Sequence, residues 1–374
     1  MNRFLNTFRR MLQTRPAAAQ RGHTFRPQLE QLDQRLLPSI SSAISIQHSW
    51  GTERAWYSIE PATLPTDQVL EFKDTTPHPL SHTLGIGGKF LGLSASIDPN
   101  TGSAEVFALR YRIYYATPGW SAYAGKNALE LCDSQGNWHL LDWSLDTPSI
   151  YSISATRDGH VYAATADGWH VRYFDSTGHS IDLGAPAKGL LAYNDYCPDP
   201  GQVAASVGWF GGNEVFAIGR DGAIYVNSSN TPGDWQLVDN RAYFVSLSAT
   251  PNDTVFAVTS DGRLFQETEH LLPRLYYFYW AGQDISGGRT YGRTISADTD
   301  ASGQDEVYAI EQGTNSLYLH DGGSWAYRDG DVFDVSAAGG GCFYDVNWHG
   351  GSLDAYQYDP TSWWLWTYLG SGLE

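Results

Sequence analysis

The sequence predicts an all-β chain wound into a β-propeller of four-stranded blades, and three observations predict it. First, the 374 residues include 39 Gly, 23 Tyr and 14 Trp but are only 17% charged, a composition that suits strands and turns better than helices. Second, one pattern of short strands recurs seven times from residue 41 onward. Third, its anchor serines, at 45, 96, 154, 206, 248, 296 and 336, lie about 48 residues apart on average, the length that four short strands and their turns occupy in a blade. Seven blades is the expected count. Six or eight also fit, because long insertions follow Ala108 and Tyr193.

The clearest repeat is Ser152-Ile153-Ser154-Ala155, a turn at Asp158-Gly159, the strand Val161-Tyr162-Ala163-Ala164 and a second turn at Asp167-Gly168. Residues 246–249 with 255–258 and Asp261-Gly262 repeat it, as do 205–207 with 214–218 and Asp221-Gly222, and 295–297 with 306–310. Weaker copies are 93–96 with 105–109, 335–337 with 343–346, and 43–46 with 56–59. Each position suits a blade. The first strand crowds the central axis, so Ser and Ala keep volume low. The second and third strands are covered on both faces by neighbouring blades and read as near-continuous apolar runs. Asp-Gly between them predicts a two-residue hairpin turn, since Gly accepts positive φ. Outer strands carry large rings, at Trp138, Trp235, 276–280, Trp325, Trp363, Trp364 and Trp366, to fill the widening wedge at the rim. The last outer strand is expected near 363–369, with no spare strand to exchange. The ring then closes by packing, or the assignment is one strand out of phase.

Charge separates the chain into two parts. Residues 1–40 carry seven Arg against Glu30 and Asp33, about +5, and the remainder is about −23 of a net −18. The expected domains are therefore a basic leader over 1–40, helical or disordered, and a propeller over 41–374. The acidic body argues against a nucleic-acid partner, which requires a basic surface. No run of 18 apolar residues predicts a membrane-spanning helix. Within the leader, residues 26–39 (RPQLEQLDQRLLPS) resemble the LExLExRxLPS leader of many exported planctomycete proteins, with Asp33 where that pattern has its second Glu. That resemblance implies export to the cell surface or beyond. Leu29, Leu32 and Leu36 also fit one face of a short amphipathic helix.

The repeat Ser-x-Ser-Ala, turn, Val-Tyr/Phe-Ala, turn, Asp-Gly-x-Leu/Ile-Tyr resembles the tectonin and tachylectin-like lectin propellers over about residues 41–370. The resemblance implies shallow glycan sites on or between blades. No set of sugar-contacting residues repeats identically in every copy.

Rings near turns are the candidate ligand-binding residues, because an apolar sugar face stacks on an aromatic ring while loop Asp, Asn and Arg hydrogen-bond its hydroxyls. Trp169, directly after Asp167-Gly168, and Trp209, before Gly211-Gly212, lead the set; Trp120 and Trp325 complete it. The competing role for each ring is packing between blades. The loop from Asp298 to Glu306 has carboxylates at calcium-loop spacing; the competing reading is a solvated acidic hairpin, and no metal or cofactor is expected. His78 and His82 are four apart, but Pro77 and Pro79 argue against the helix that would pair them. Cys132, Cys197 and Cys342 form no Cys-x-x-Cys pair and allow at most one bridge. No Gly-x-Ser-x-Gly, His-Glu-x-x-His or phosphate loop occurs. The expected function is non-catalytic recognition of a glycan, secreted or at the cell surface. The alternatives are a propeller that scaffolds proteins and, behind it, a secreted polysaccharide lyase or hydrolase.

Overall fold

The computed structural model describes residues 41–373 except 49–50, 62–67, 75–80, 87–88, 113–125, 134, 143–149, 166–169, 187–202, 208–211, 229–230, 273–276, 350–351 and 361–365. The basic leader expected over 1–40 lies outside the described residues, which contain strands and turns but no helix.

Seven four-stranded antiparallel sheets follow one another along the chain. The first holds β1 (Ser41–His48), β2 (Gly51–Pro61), β3 (Gln68–Asp74) and β4 (Ser81–Ile86). The second holds β5 (Lys89–Ile97), β6 (Ala104–Arg112), β7 (Lys126–Cys132) and β8 (Trp138–Asp142). The third is β9 (Ile150–Ala155), β10 (His160–Thr165), β11 (Val171–Asp175) and β12 (Ser180–Asp182). The fourth is β13 (Val203–Val207), β14 (Asn213–Ile218), β15 (Ile224–Ser228) and β16 (Gln236–Asp239). The fifth is β17 (Phe244–Ala249), β18 (Thr254–Thr259), β19 (Leu264–Leu272) and β20 (Tyr277–Asp284). The sixth is β21 (Tyr291–Thr299), β22 (Asp305–Glu311), β23 (Leu317–His320) and β24 (Trp325–Asp329). The last is β25 (Val332–Gly339), β26 (Cys342–His349), β27 (Ser352–Tyr358) and β28 (Trp366–Leu373). The six sheets from β5 to β28 have described side chains along most of their length; in the first, backbone pairing is described together with the side chains of Ala43 and Ala55.

The inner strands β1, β5, β9, β13, β17, β21 and β25 each touch the next, and β25 touches β1. This is a propeller ring. Every sheet is built from four consecutive strands, so the ring closes by packing, with β28 against β2, and not by exchanging a strand. The core is correspondingly divided into wedges between sheets rather than gathered in one centre. Phe107, Leu109, Leu129 and Leu131 of the second sheet pack against Val161, Ala163 and Phe174 of the third. Phe216, Ile218 and Ile224 of the fourth meet Leu247, Val255 and Phe265 of the fifth. Ala338, Cys342 and Tyr344 of the last sheet pack against Ala43 of the first. Cys132 and Cys342 are buried in these wedges, with Cys342 Sγ 3.6 Å from Asp359 Oδ1; Cys197 lies outside the described residues.

The inner-strand serines do more than save volume. An innermost strand has a free edge, and its N–H groups need partners. Ser94 Oγ accepts from Ala155 N at 2.8 Å, Ser154 Oγ from Ala205 N at 2.9 Å, Ser248 Oγ from Ala297 N at 3.0 Å and Ser296 Oγ from Ala337 N at 2.9 Å, each across to the next sheet. Ser96 and Ser206 instead donate across the same seams, to Thr156 O at 2.7 Å and Thr250 O at 2.6 Å.

The Asp-Gly turns differ from the expected two-residue hairpins. In Thr259-Ser260-Asp261-Gly262-Arg263, Thr259 N donates to Arg263 O at 2.9 Å and Gly262 N donates to Thr259 O at 2.9 Å. That is a three-residue loop with Gly262 in the left-handed position at φ 83°. Thr156 N likewise donates to His160 O at 2.9 Å with Gly159 at φ 81°, but Gly159 N donates to Ser96 Oγ at 3.0 Å instead of closing on Thr156 O. Asp occupies the place before Gly because its carboxylate caps the loop, accepting from Thr259 Oγ1 and from Thr156 Oγ1 respectively.

Candidate functional site

The connection leaving β16 runs past the edge strand β20 and borders an open cavity of about 380 Å³, lined by Val238, Asp239, Asn240, Arg241, Glu267, Trp280, Ala281 and Gly282. Arg241 organises it. Its Nε and Nη2 donate to the two carboxylate oxygens of Asp239 at 2.9 and 2.7 Å, Nη2 also reaches Glu267 Oε1 at 2.8 Å, and Nη1 donates to Gly282 O at 2.9 Å. Gly282 is required by this approach. A Cβ there would fall 1.8 Å from Arg241 Nη2 and 1.9 Å from Glu267 Oε1. Trp280 forms one wall and meets Phe216 edge-on at 5.4 Å.

Two carboxyl groups of this cavity lie within hydrogen-bonding reach of each other. Burial and Asp239 push the Glu267 carboxyl up to about 8, while hydrogen bonds from Arg241 outweigh burial and hold Asp239 below its usual range. The pair therefore shares a proton near neutrality. Two carboxyls in mutual contact are not placed to flank a glycosidic bond, where hydrolysis needs about 5 Å or more between them. The cavity offers a ring, an amide, a guanidinium and a protonated acid: a recognition chemistry.

A second polar region lines the turns that follow the inner strands. Arg157, in the turn after β9, places Nη2 at 2.5 and 2.7 Å from the Asp298 carboxylate at the end of β21. Those strands belong to the third and sixth sheets, which are not neighbours, so the side chain reaches over the central channel. Buried carboxyls also stand in several sheets, on β6, on β22 and in the turn after β17, and of these Glu306 feels Asp298. Burial, with Asp98 adding to it, pushes Glu105 up to about 7, and burial pushes Glu306 to about 7. Burial, with Glu214 and Glu269 facing it, pushes Asp253 well above the carboxylate range.

The Asp298–Glu306 loop does not gather its carboxylates. Asp298 pairs with Arg157, Asp300 caps its own turn by accepting from Ser302 and Gln304, and Asp305 accepts from Thr250, Asn252 and Thr254 of the fifth sheet. Glu306 accepts from Tyr308 Oη at 3.1 Å. Among the described residues no group of three or more His, Cys, Asp or Glu is arranged to hold a metal ion. Of the histidine pair, His82 lies on β4 and His78 outside the described residues.

Of the sequence-predicted ligand rings, Trp120, Trp169 and Trp209 lie outside the described residues. Trp325 lies in the wedge between the fifth and sixth sheets. Its ring stacks on Tyr291 at 4.6 Å and its indole N–H donates to Ile285 O at 2.6 Å. At the seam between the third and fourth sheets, two seams earlier, the Trp235 indole N–H likewise donates to Leu183 O at 2.9 Å. The geometry makes Trp325 an inter-blade fastener. The residues that form the cavity were missed as a set. The signal was the polar run Asp239-Asn240-Arg241 directly after an outer strand, but Glu267 could not be picked from the many acidic residues of the body.

No protein-family model matches the chain, and no curated protein matches it. Many solved structures do. The chain is similar to the β-propeller domain of Cps50 (Swd1) from Myceliophteria thermophila, at 12% identity and TM-score 0.50 over 84% of this chain and 95% of that one. It is likewise similar to YCF48 bound to D1 peptide, at 14% identity and TM-score 0.50, over 87% and 95%. Virginiamycin B lyase from Staphylococcus aureus matches at 9% identity and TM-score 0.46, over 84% and 94%. At these identities the two likenesses at TM-score 0.50 show the propeller fold.

Proposed function

We propose that this propeller is a non-catalytic carbohydrate-binding module, and that the cavity between β16 and β20 is its binding site. The observation that carries the reading is the chemistry gathered around Arg241. Trp280 supplies an apolar wall for a sugar face, while Asn240, Arg241 and the Asp239–Glu267 pair offer both donors and acceptors to hydroxyls. A cavity of about 380 Å³ is at the lower end for small-ligand sites. The overall charge of −18 favours neutral or basic saccharides over uronic acids. The test is a broad glycan screen on the full chain. Binding to at least one neutral glycan class supports the reading; no binding across all classes overturns it.

A second reading has its own observation. Leu237 and Tyr243, on either side of the cavity residues in the chain, are 49% and 46% exposed, and exposed apolar groups around a cavity suit a peptide or protein partner. One structural neighbour is bound to a peptide. Capture of a protein that sugars do not displace favours this reading. We also place the protein outside the cytoplasm, on the export-type leader pattern; detection only in the cytosolic fraction of the source cells would overturn that.

A further inference from the structure

The last sheet contains an anionic pocket that no part of the binding proposal uses. Asp345 lies in the middle of β26 and is 0% exposed, and its carboxyl faces the Asp329 carboxyl with no side-chain donor from any other residue. Two residues on, and so on the same side of the strand, Asn347 is 2% exposed and its Oδ1 is without a partner. Its Nδ2 donates to Asp329 Oδ2 at 2.7 Å. Asp329 ends β24 in the neighbouring sheet and interacts directly with the Asp345 carboxyl. Two carboxylates and one amide thus meet between sheets, and among the described residues no Lys, Arg or His forms an ion pair with either carboxylate.

A buried carboxylate with no donor and no counter-charge is strongly unfavourable. A bound cation removes that cost by meeting the oxygens that hydrogen bonds leave unmet. We propose that Asp329, Asp345 and Asn347 form a site for a hard divalent cation of the calcium class at the seam between the sixth and last sheets. The donor set is all oxygen, which selects against zinc and other metals that prefer nitrogen or sulfur. Calcium fits better than magnesium. Magnesium keeps several waters in a strict octahedron, whereas calcium accepts irregular sets of carboxylate and amide oxygens. Rotation of the Asn347 amide about its terminal torsion exchanges Nδ2 for Oδ1 beside Asp329 and completes the oxygen set. The ion would tie β24 to β26 across a seam that packing and single hydrogen bonds such as Asn347 to Asp329 also hold. The site is distinct from the Asp298–Glu306 loop, whose carboxylates are already committed to other partners.

The test uses the full chain stripped with a chelator and returned to metal-free buffer. Thermal unfolding is followed as calcium or magnesium is added, and terbium emission excited through aromatic side chains is read in parallel. Calcium should raise Tm by a few degrees in a saturable manner, magnesium should do so at no less than tenfold higher concentration, and calcium should displace terbium. Asp345→Asn should abolish the calcium-dependent shift and the terbium signal. Asn347→Asp should retain both, which separates ligation from general damage if Asp345→Asn folds poorly. The proposal is overturned if millimolar calcium leaves Tm unchanged with no terbium signal. It is equally overturned if the Asp345→Asn chain responds to calcium as the unaltered chain does, which would leave the carboxyl pair as sharers of a proton only.

Discussion

Replacing Asp253 by Asn should stabilise the protein at pH 8 and change it little at pH 5. Asp253 occupies the turn between β17 and β18 at φ 64°, a left-handed conformation that Asn also adopts readily. The substitution is nearly isosteric, so the backbone is not the variable. The carboxyl is 3% exposed and faces Glu214 of β14 and Glu269 of β19. Burial and those two neighbours raise its pKa far above the unfolded value, and Glu214 is raised with it. The sign follows directly. Between the unfolded value near 4 and the raised folded value, the folded chain holds a proton that the unfolded chain has released, so stability is full at low pH and falls as pH rises through that window. Holding one proton over the three units from pH 5 to pH 8 costs about 4 kcal/mol at ~1.4 kcal/mol per unit. Water entry and relaxation at the turn reduce this, so the Asn variant should gain about 2 kcal/mol at pH 8 relative to its change at pH 5. Urea unfolding followed by tryptophan fluorescence at the two pH values measures the difference. An equal change at both pH values, or a larger loss at pH 8, would refute the reasoning.

Three further perturbations probe the ring. Ser248→Ala removes the acceptor for Ala297 N and leaves an inner-edge N–H to water in the channel, so a loss of about 1 kcal/mol is expected in denaturant midpoint. Trp325→Phe keeps most of the apolar contact with Tyr291 but orphans Ile285 O, and should cost about 1–3 kcal/mol in the same assay without altering glycan binding. Arg157→Ala leaves the largely buried Asp298 carboxylate without its partner from the opposite side of the ring. About 1–2 kcal/mol should be lost at pH 7, read as a lowered midpoint in thermal unfolding.

The architecture was legible because a blade repeats its chemistry. The Ser-Ala strand, the apolar strand after it and the ring-bearing outer strand each kept their place, and Trp138, Trp325 and Trp366 all lie on the outer strands where the repeat put them. The serine role was only half visible. Their spacing marked the inner strands, but that Ser154 accepts while Ser96 donates depends on a two-residue offset along the strand that composition does not reveal. The turns were misjudged in detail because Asp-Gly is common to two-residue and three-residue loops, and the Thr two positions earlier that closes the longer one, Thr259 or Thr156, carries no distinctive pattern. The site was less legible still. A cavity forms where residues from 238–241 meet 267 and 280–282, and its key glycine is defined by an arginine forty-one positions away. Trp325 illustrates the converse: a ring next to a turn is a candidate until its N–H is seen to be committed to a carbonyl across the seam.

The central claim is that ligand recognition resides in the Arg241 cavity. It is tested most directly by comparing Gly282→Ala with the unaltered chain in the same glycan titration. The added methyl group occupies the space of Arg241 Nη2 and Glu267 Oε1. It should weaken binding at least tenfold while the chain still folds and unfolds cooperatively. Unchanged affinity in a folded Gly282→Ala protein would contradict the account and move the site elsewhere on the ring.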